Sequence, residues 1–283
     1  MKILLSDGCL YKSPIEYTFE LAKEAGFDGV EIIWAGRNNI SVDHIKNLIK
    51  KYDTPVKVIH EPFNFHKVKD WPEGEKERLP YVIDIAEKLE ARSIVVHGAV
   101  NPDHILWQQK NIPEFQKKTK VLIGVENMPE YYSPFFDLFP SFNEFYWKKI
   151  GKLHKSMVNP FYKLLFFMSD CHYYNQNTAE NLFKHYDHIT MDTTHLGTHG
   201  SSLLDFFDKA KSKIAHIHLS DFYPDEHIFP GKGRLKLKEF YNHIKKENFT
   251  GTLSLEVDPS AFENYKDKST TLKELKSFLN AIR

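Results

Sequence analysis

Short apolar runs alternate with longer amphipathic stretches along the whole chain. Each run has five to seven residues rich in Val, Ile and Leu, and a stretch with Lys and Glu between apolar positions separates it from the next. This alternation is typical of repeated βα units, which build a parallel sheet. It predicts strands at 2–6, 29–33, 56–60, 93–97, 121–126, 188–192, 214–220 and 253–257, with helices around 13–25, 41–51, 76–90, 103–118, 178–187, 201–212, 236–247 and 269–282. Eight strands and eight helices predict an α/β fold, a closed (β/α)8 barrel.

One long connection breaks this rhythm after the fifth predicted strand. Residues 128–177 hold many aromatic side chains and five lysines, Lys148, Lys149, Lys152, Lys155 and Lys163. A connection of this length often acts as a lid, and its lysines could bind a phosphate, touch nucleic acid or face a second copy in a homo-oligomer. A helical excursion that packs on its own apolar face is the alternative. Because 283 residues suit one barrel, we predict a single domain over 1–283 with 128–177 as an insertion.

Composition argues against several classes of protein. Lys and Arg together number 38, as do Asp and Glu, so the chain lacks the overall basic charge of many nucleic-acid-binding proteins, although a local patch stays open. The two cysteines, Cys9 and Cys171, are too few for a disulfide framework and favour a reducing, cytoplasmic setting. No apolar run approaches the length of a membrane span, so we expect no membrane association.

Histidines and carboxylates stand at or near the carboxyl ends of six predicted strands. They are His60, His97, Glu126, Asp192, His195, His218 and Glu256, and the loop after strand seven adds Asp225 and His227. In a barrel these strand ends meet at one mouth, where the chemistry is built. Imidazole and carboxylate groups are ligands of Zn²⁺, Mn²⁺, Co²⁺ and Fe²⁺, and crowded carboxylates need such cations to neutralise them. The pattern therefore predicts a divalent-metal centre at the mouth.

Strand seven ends in HIHLSD at 216–221, an unusually polar stretch for a buried strand. Side chains repeat every two residues, so His218 and His216 share a face and His216 lies one layer deeper. We expect His218 to be the ligand, and Asp221 either to orient an imidazole or to cap the following loop. Glu31 in the second strand could face the mouth or pair with a buried cation, and we assign it no role.

Seven segments resemble one family. They are VIHEPF at 58–63, VVHGAV at 95–100, VENMP at 125–129, MDTTHLG at 191–197, HIHLSD at 216–221, DEHIFPGKG at 225–233 and LEVDP at 255–259. In order and strand-end placement they are similar to the xylose isomerase-like TIM-barrel superfamily. That superfamily includes sugar and sugar-phosphate isomerases and epimerases, and also the endonuclease IV group of DNA-repair enzymes.

The epimerase branch of the superfamily implies one divalent metal held by Glu126, Asp192, His218 and Glu256. Glu126 and Glu256 would then act as acid and base around a metal-bound enediolate, and His195 is a further catalytic candidate. Free-ketose epimerases carry an Arg and a second Glu about where this chain has Pro224 and Tyr132. A phosphorylated sugar is therefore the favoured substrate.

Four residues are candidates for binding that substrate. Lys232 and Arg234 could hold the phosphate, and Trp34 and Phe63 could stack on the sugar ring, although plain packing explains the two aromatic residues equally well. The backbone amides of the GKG stretch at 231–233 could also bind a phosphate, with an ordinary turn as the alternative.

The endonuclease IV branch implies a different activity from the same chain. It adds His60, His97, His195, Asp225 and His227 as ligands, for three zinc ions that cleave abasic-site DNA. The short segment from His218 to Asp225, and the lack of an arginine cluster around Arg37 and Phe63, disfavour this alternative. A barrel that binds a metabolite or partner protein without turnover is a third hypothesis, which the intact ligand set disfavours.

Overall fold

Eight parallel strands close into a barrel in the computed structural model, which describes residues 1–34, 40–61, 75–99, 102–129, 178–223 and 225–283. The strands are Lys2–Ser6 (β1), Val30–Ile33 (β2), Val56–His60 (β3), Ser93–His97 (β4), Leu122–Glu126 (β5), His188–Asp192 (β6), Ile214–Leu219 (β7) and Thr252–Leu255 (β8). Each strand pairs with the next, and β1 pairs with β8 to close the ring. The predicted (β/α)8 barrel is confirmed.

Helices surround the sheet. Those in the described residues are Ile15–Ala25 (α1), Val42–Tyr52 (α2), Glu75–Lys88 (α3), Pro102–Gln116 (α4), Ala179–His185 (α5), Thr193–Thr198 (α6), Leu203–Ala210 (α7), Leu237–Lys246 (α8) and Lys268–Ile282 (α9). Short 3₁₀ turns occupy Asp7–Leu10 and Pro259–Ala261. Each predicted helix has a counterpart, and none of the described helices is long and apolar enough to cross a membrane.

The helix α6 was not predicted, and it begins directly after β6. Asp192 ends that strand and also caps the helix, because its Oδ1 atom accepts a hydrogen bond of 2.9 Å from the backbone N–H of His195. The sequence pattern predicts only a ligand role for Asp192, with the next helix at 201–212. One side chain therefore both starts a helix and faces the mouth.

Two apolar regions lie on opposite sides of the sheet. The larger one packs strand residues such as Ile32 and Ile59 against helix residues such as Phe19 and Phe240, all fully buried or nearly so. The smaller one lies inside the barrel and consists of Leu4, Val58 and Val95. Burial of the side chains in the larger region is the main force that holds the helices against the barrel.

The inner apolar cluster fixes the position of the mouth. Side chains two residues further along a strand face the same side. His60 follows Val58 on β3 and His97 follows Val95 on β4, so both imidazoles lie one layer above that cluster. The interior thus changes from apolar to ionisable towards the carboxyl ends of the strands.

The predicted insertion at 128–177 lies almost wholly outside the described residues, which resume at 178 after 129. The same holds for Phe63, Arg37 and Cys171. The proposed lid and its lysines therefore stay a prediction.

Gly124 on β5 lies where a side chain would collide with β6. A Cβ atom built there would be 2.5 Å from Thr190 Oγ1 and 3.3 Å from Thr190 N. We expect Gly124→Ala to lower the free energy of unfolding by about 1–3 kcal/mol, the usual cost of overpacking. Urea denaturation measures the change, and adding Thr190→Ala should restore part of the loss. An unchanged midpoint in the single variant would contradict this close approach.

Candidate metal centre

The mouth of the barrel gathers eight of the nine predicted ligands into clusters whose ligand atoms lie within 4.8 Å of one another. The exception is Asp225, which lies in the loop after β7 and belongs to none of the clusters found among the described residues. Glu31, which had no assigned role, joins one of them. Residues up to 225 positions apart in the sequence, from Glu31 to Glu256, therefore meet at one place.

The central cluster consists of Glu126, Asp192, His218 and Glu256, all buried. His218 Nδ1 lies 2.8 Å from Glu126 Oε1, 3.0 Å from Glu256 Oε2 and 3.7 Å from Asp192 Oδ2. One imidazole nitrogen thus lies at hydrogen-bond distance from two carboxylates and faces a third.

Strand register places these four residues. Glu126 and Asp192 end β5 and β6, and Asp192 lies opposite His218 in the pairing of β6 with β7. Glu256 follows directly after β8. Asn127, which the sequence analysis overlooked, fixes the backbone of Asp192: its side chain accepts from Asp192 N at 2.9 Å and donates to Asp192 O at 3.1 Å.

Two further clusters flank the central one, and each shares a carboxylate with it. The first joins His60 and His97 to Glu126, with His60 Nε2 at 3.8 Å and His97 Nε2 at 3.5 Å from Glu126 Oε2. The second joins His195 and His227 to Asp192. Together with the set of Glu31, His60, His218 and Glu256, the described residues at the mouth offer four overlapping sets of ligands.

Backbone carbonyls orient two of the flanking imidazoles. His60 Nδ1 donates to Glu61 O at 2.6 Å, and His195 Nδ1 donates to Asn127 O at 2.8 Å, because a carbonyl can only accept. The Nε2 atom of each ring is then left without a hydrogen in the neutral form. An Nε2 atom in this form is able to bind a cation.

The donor set fits a divalent cation. Among the described residues, two buried carboxylate oxygens in the central cluster, Glu126 Oε2 and Asp192 Oδ2, have no hydrogen-bond donor. Burying a charged oxygen without a partner is costly, so both oxygens are suited to face a cation. Mixed imidazole and carboxylate ligands suit Zn²⁺, Mn²⁺, Co²⁺ or Fe²⁺.

The surroundings of His97 and His218 shift their pKa values in opposite directions. Burial lowers the pKa of His97 well below its usual value, and the neighbouring His60 adds to the effect. Burial also acts to lower the pKa of His218, but the carboxylates of Glu256 and Glu31 hold it well above its usual value. His97 is therefore neutral near pH 7, whereas a proton and a cation compete for His218.

Two carboxylates of the central cluster, those of Asp192 and Glu256, are ionised. Burial acts to raise the pKa of Asp192, but charge on His195 holds it below its usual value. Burial likewise acts to raise the pKa of Glu256, and charge on His218 holds it down. Negative charge at the mouth is thus maintained near neutral pH.

Asp221 caps the loop that follows β7, which is the second of the two roles predicted for it. Its buried carboxylate accepts hydrogen bonds of 2.9 to 3.0 Å from the backbone N–H groups of Phe222, Gly231, Gly233 and Leu235. The amides of Gly231 and Gly233 therefore donate to Asp221, and the amide of Lys232 donates to Phe229 O at 3.0 Å, rather than being offered to a phosphate. The same loop carries His227 to the mouth.

The predicted substrate-binding residues have other partners in the described structure. Lys232 Nζ donates to Ala261 O at 3.0 Å and to Glu274 Oε1 of α9 at 3.3 Å. The Arg234 guanidinium lies 3.3 Å above the Tyr223 ring. Trp34 belongs to the main apolar core, as its alternative packing role predicts.

Metal addition should stabilise the protein. We expect Zn²⁺, Mn²⁺, Co²⁺ or Fe²⁺ to raise the melting temperature of chelator-treated protein by about 5–10 °C, since a ligand at 100 times its Kd adds about 2.7 kcal/mol. Differential scanning fluorimetry measures the shift. Asp192→Asn is the matched control, because an asparagine can still cap α6 but loses the ionised oxygen. An equal rise in that variant would contradict binding at this cluster.

Comparison with known proteins places this geometry in a family. A model described as a xylose isomerase-like TIM barrel matches residues 19–281. An uncharacterised protein of Mycobacterium leprae is 27% identical over 290 residues, covering 98% of this chain and 96% of that protein. A fructoselysine 3-epimerase of Shigella flexneri is 23% identical over 267 residues, covering 86% of this chain and 85% of that protein. The crystal structure of a D-tagatose 3-epimerase-like protein shares the fold, with a TM-score of 0.63 and 23% identity over 100% of this chain and 98% of that chain. This chain belongs to the xylose isomerase-like TIM-barrel family.

Proposed function

We propose that this protein is a divalent-metal-dependent isomerase or epimerase of a small sugar or sugar phosphate. The observation that carries the proposal is the buried set of Glu126, Asp192, His218 and Glu256, with ligand atoms within 4.8 Å of one another. Two members are glutamates, which can exchange a proton beside groups that suit a cation. Similarity to a fructoselysine 3-epimerase over most of the chain supports this class of reaction.

The four residues would hold one divalent cation through carboxylate oxygens and the Nδ1 atom of His218. Asp192 Oδ2 is the clearest ligand, because it is buried and lacks a donor among the described residues. When bound, the cation supplies positive charge beside the substrate oxygens on which negative charge develops as a neighbouring C–H bond breaks.

The two glutamates differ in how easily a substrate reaches them. The side chain of Glu256 is 10% exposed and that of Glu126 is 1% exposed. Glu256 therefore lies on the open side of the site, where one carboxylate oxygen takes the proton from the substrate carbon. For a return to the opposite face of the same carbon, Glu126 would enter the cycle protonated and give up that proton, and exchange with solvent would then reset both carboxyl groups; for a return to the neighbouring carbon, Glu256 would give back the proton that it took. The first outcome is an epimerisation and the second an aldose–ketose shift.

His195 is the third catalytic candidate. With Nδ1 held by the Asn127 carbonyl, its Nε2 atom is available to take a proton from a substrate hydroxyl and to return it. Its side chain is partly accessible at the mouth, at 9% exposure. We assign it proton transfer between substrate oxygens rather than at carbon.

Recognition of a phosphate group depends on residues beyond those described. Lys232, Arg234 and the GKG amides have partners within the described structure, so they would have to release those contacts first. The lysines of the 128–177 insertion are the remaining candidates. The phosphorylated form of the substrate stays a prediction that depends on them.

The flanking clusters favour a second candidate function. His60 and His97 extend the site from Glu126, and His195 and His227 extend it from Asp192. Three adjacent cations would suit the hydrolysis of a phosphodiester at abasic-site DNA. The position of Asp225 outside the clusters, and the net charge of zero, favour the isomerase instead.

Replacement of Glu256 tests the proposed chemistry. We expect Glu256→Gln to lower the rate of deuterium uptake from D₂O into candidate ketoses by about 10²–10⁴-fold, the usual contribution of a positioned base. Mass spectrometry of the recovered sugar measures the uptake. A wild-type rate in Glu256→Gln would contradict the mechanism.

His227→Ala separates the two functions in the same assay series. An enzyme with one ion should keep most of its sugar exchange in this variant, because His227 lies outside the central cluster. If the protein holds three ions, the wild-type protein should nick abasic-site DNA, and the His227→Ala variant should lose that activity. Elemental analysis of the purified protein supplies the ion count for both cases.

A further inference from the structure

Glu31 on β2 is fully buried and lies between two histidines of β7. Its Oε1 atom lies 2.9 Å from His218 Nε2, and its Oε2 atom lies 3.0 Å from His216 Nε2. His216 Nδ1 in turn lies 2.7 Å from Thr252 Oγ1 on β8. These four residues form a continuous hydrogen-bonded relay that runs from the metal centre into the barrel.

The chemistry of a carboxylate fixes the hydrogens in this relay. An ionised carboxylate can only accept, so both Nε2 atoms that face Glu31 carry the hydrogen and donate it. His216 Nδ1 is then free to accept from the Thr252 hydroxyl. In the neutral ring, His218 Nδ1 is likewise left without a hydrogen, and it is this atom that points at Glu126 and Glu256 and that a cation would take from a proton.

The other tautomer of His218 would block the metal site. Three carboxylates surround Nδ1, and by themselves they would favour a hydrogen on that atom, which would then donate to Glu126 or Glu256. An imidazole binds a cation only through a nitrogen without hydrogen. Glu31 acts from the opposite edge of the ring and favours the hydrogen on Nε2.

Glu31 also lies within ligand distance of the group formed by His60, His218 and Glu256. Both of its oxygens already accept a hydrogen bond from an imidazole, in contrast to Asp192 Oδ2, which has no donor among the described residues. A role as ligand would require Glu31 to give up one of those bonds. The geometry favours support of a ligand over direct coordination.

We propose that Glu31 is a positioning residue of the metal centre, which holds His218 in the Nε2–H tautomer so that Nδ1 is presented to the cation. His216 and Thr252 keep the Glu31 carboxylate in place. This inference rests on the proposed metal-dependent function and names the residues that prepare its histidine ligand. The relay is the reason that HIHLSD carries two histidines on one strand face.

Two substitutions of different severity test the relay. Glu31→Gln keeps the size of the side chain but offers one acceptor to two Nε2–H donors, so one histidine must move its hydrogen. We expect it to weaken metal affinity by about 10–100-fold, as loss of a partner behind a histidine ligand does. Thr252→Val touches no ligand and should weaken affinity in the same direction by a smaller factor.

The experiment titrates chelator-treated, full-length protein with Co²⁺, following its absorption spectrum and competition with a chromophoric chelator. Val58→Ala is the matched control, because it removes buried volume beside Glu31, its partner in the pairing of β2 with β3, without removing a hydrogen-bonding group of the relay. We expect Val58→Ala to lower the melting temperature but to keep the affinity within about twofold of wild-type and the spectrum unchanged. Glu31→Gln should alter both spectrum and affinity. Histidine ¹⁵N NMR of the Zn²⁺-loaded wild-type protein should show hydrogen on His218 Nε2.

Distinct results would overturn distinct parts of the account. The role of Glu31 alone would be overturned by any of three results. These are wild-type affinity and spectrum in Glu31→Gln, an equal loss of affinity in Val58→Ala, and coordination of Zn²⁺ through His218 Nε2. Failure of the wild-type protein to bind Co²⁺ would instead overturn the metal centre and this inference with it. If Glu31→Gln does not fold, Thr252→Val carries the comparison with Val58→Ala.

Discussion

Three carboxylates buried around one imidazole nitrogen are the constraint on which the rest of this structure depends. Glu126, Asp192 and Glu256 lie in an interior where like charges repel strongly, and water is excluded from most of their surface. Such a group is stable only if positive charge is present among them. The protein supplies part of that charge through His218, and two oxygens still lack donors among the described residues.

The barrel meets this constraint by layering its interior. An apolar cluster of Leu4, Val58 and Val95 lies inside, and the histidines two residues further along β3 and β4 open the ionisable layer. Behind the central cluster, Glu31 and His216 connect His218 to Thr252, so that the ligand is held from inside the barrel as well as from the mouth. In front of it, Asp221 holds the loop that brings His227 to the site. The chemistry is thus supported by buried polar groups that are hydrogen-bonded to one another or to the backbone.

Sequence patterns predicted the features that are local or periodic. Alternation of strands and helices gave the barrel, and the repeat of two along a strand placed His218 at the mouth and His216 below it. Glu31 could not be assigned, because its partner His216 is 185 positions away and the facing of β2 across a closed barrel is not encoded in the run GVEII. The α6 helix was not predicted for a related reason: Asp192 serves as cap and as site residue at once, and its place at the end of a strand indicates only the second role. Lys232 and the GKG amides look like phosphate ligands in the sequence, yet Glu274 and Asp221 are the groups they contact.

The most direct test of the buried-charge account is anomalous X-ray diffraction from crystals of the wild-type protein soaked in Zn²⁺ or Mn²⁺. The account predicts an anomalous peak at bonding distance, about 2.0–2.2 Å for Zn²⁺, from Asp192, His218 and both glutamates of the central cluster. A mouth without an anomalous peak at saturating metal, with the same carboxylates still packed around His218, would contradict it.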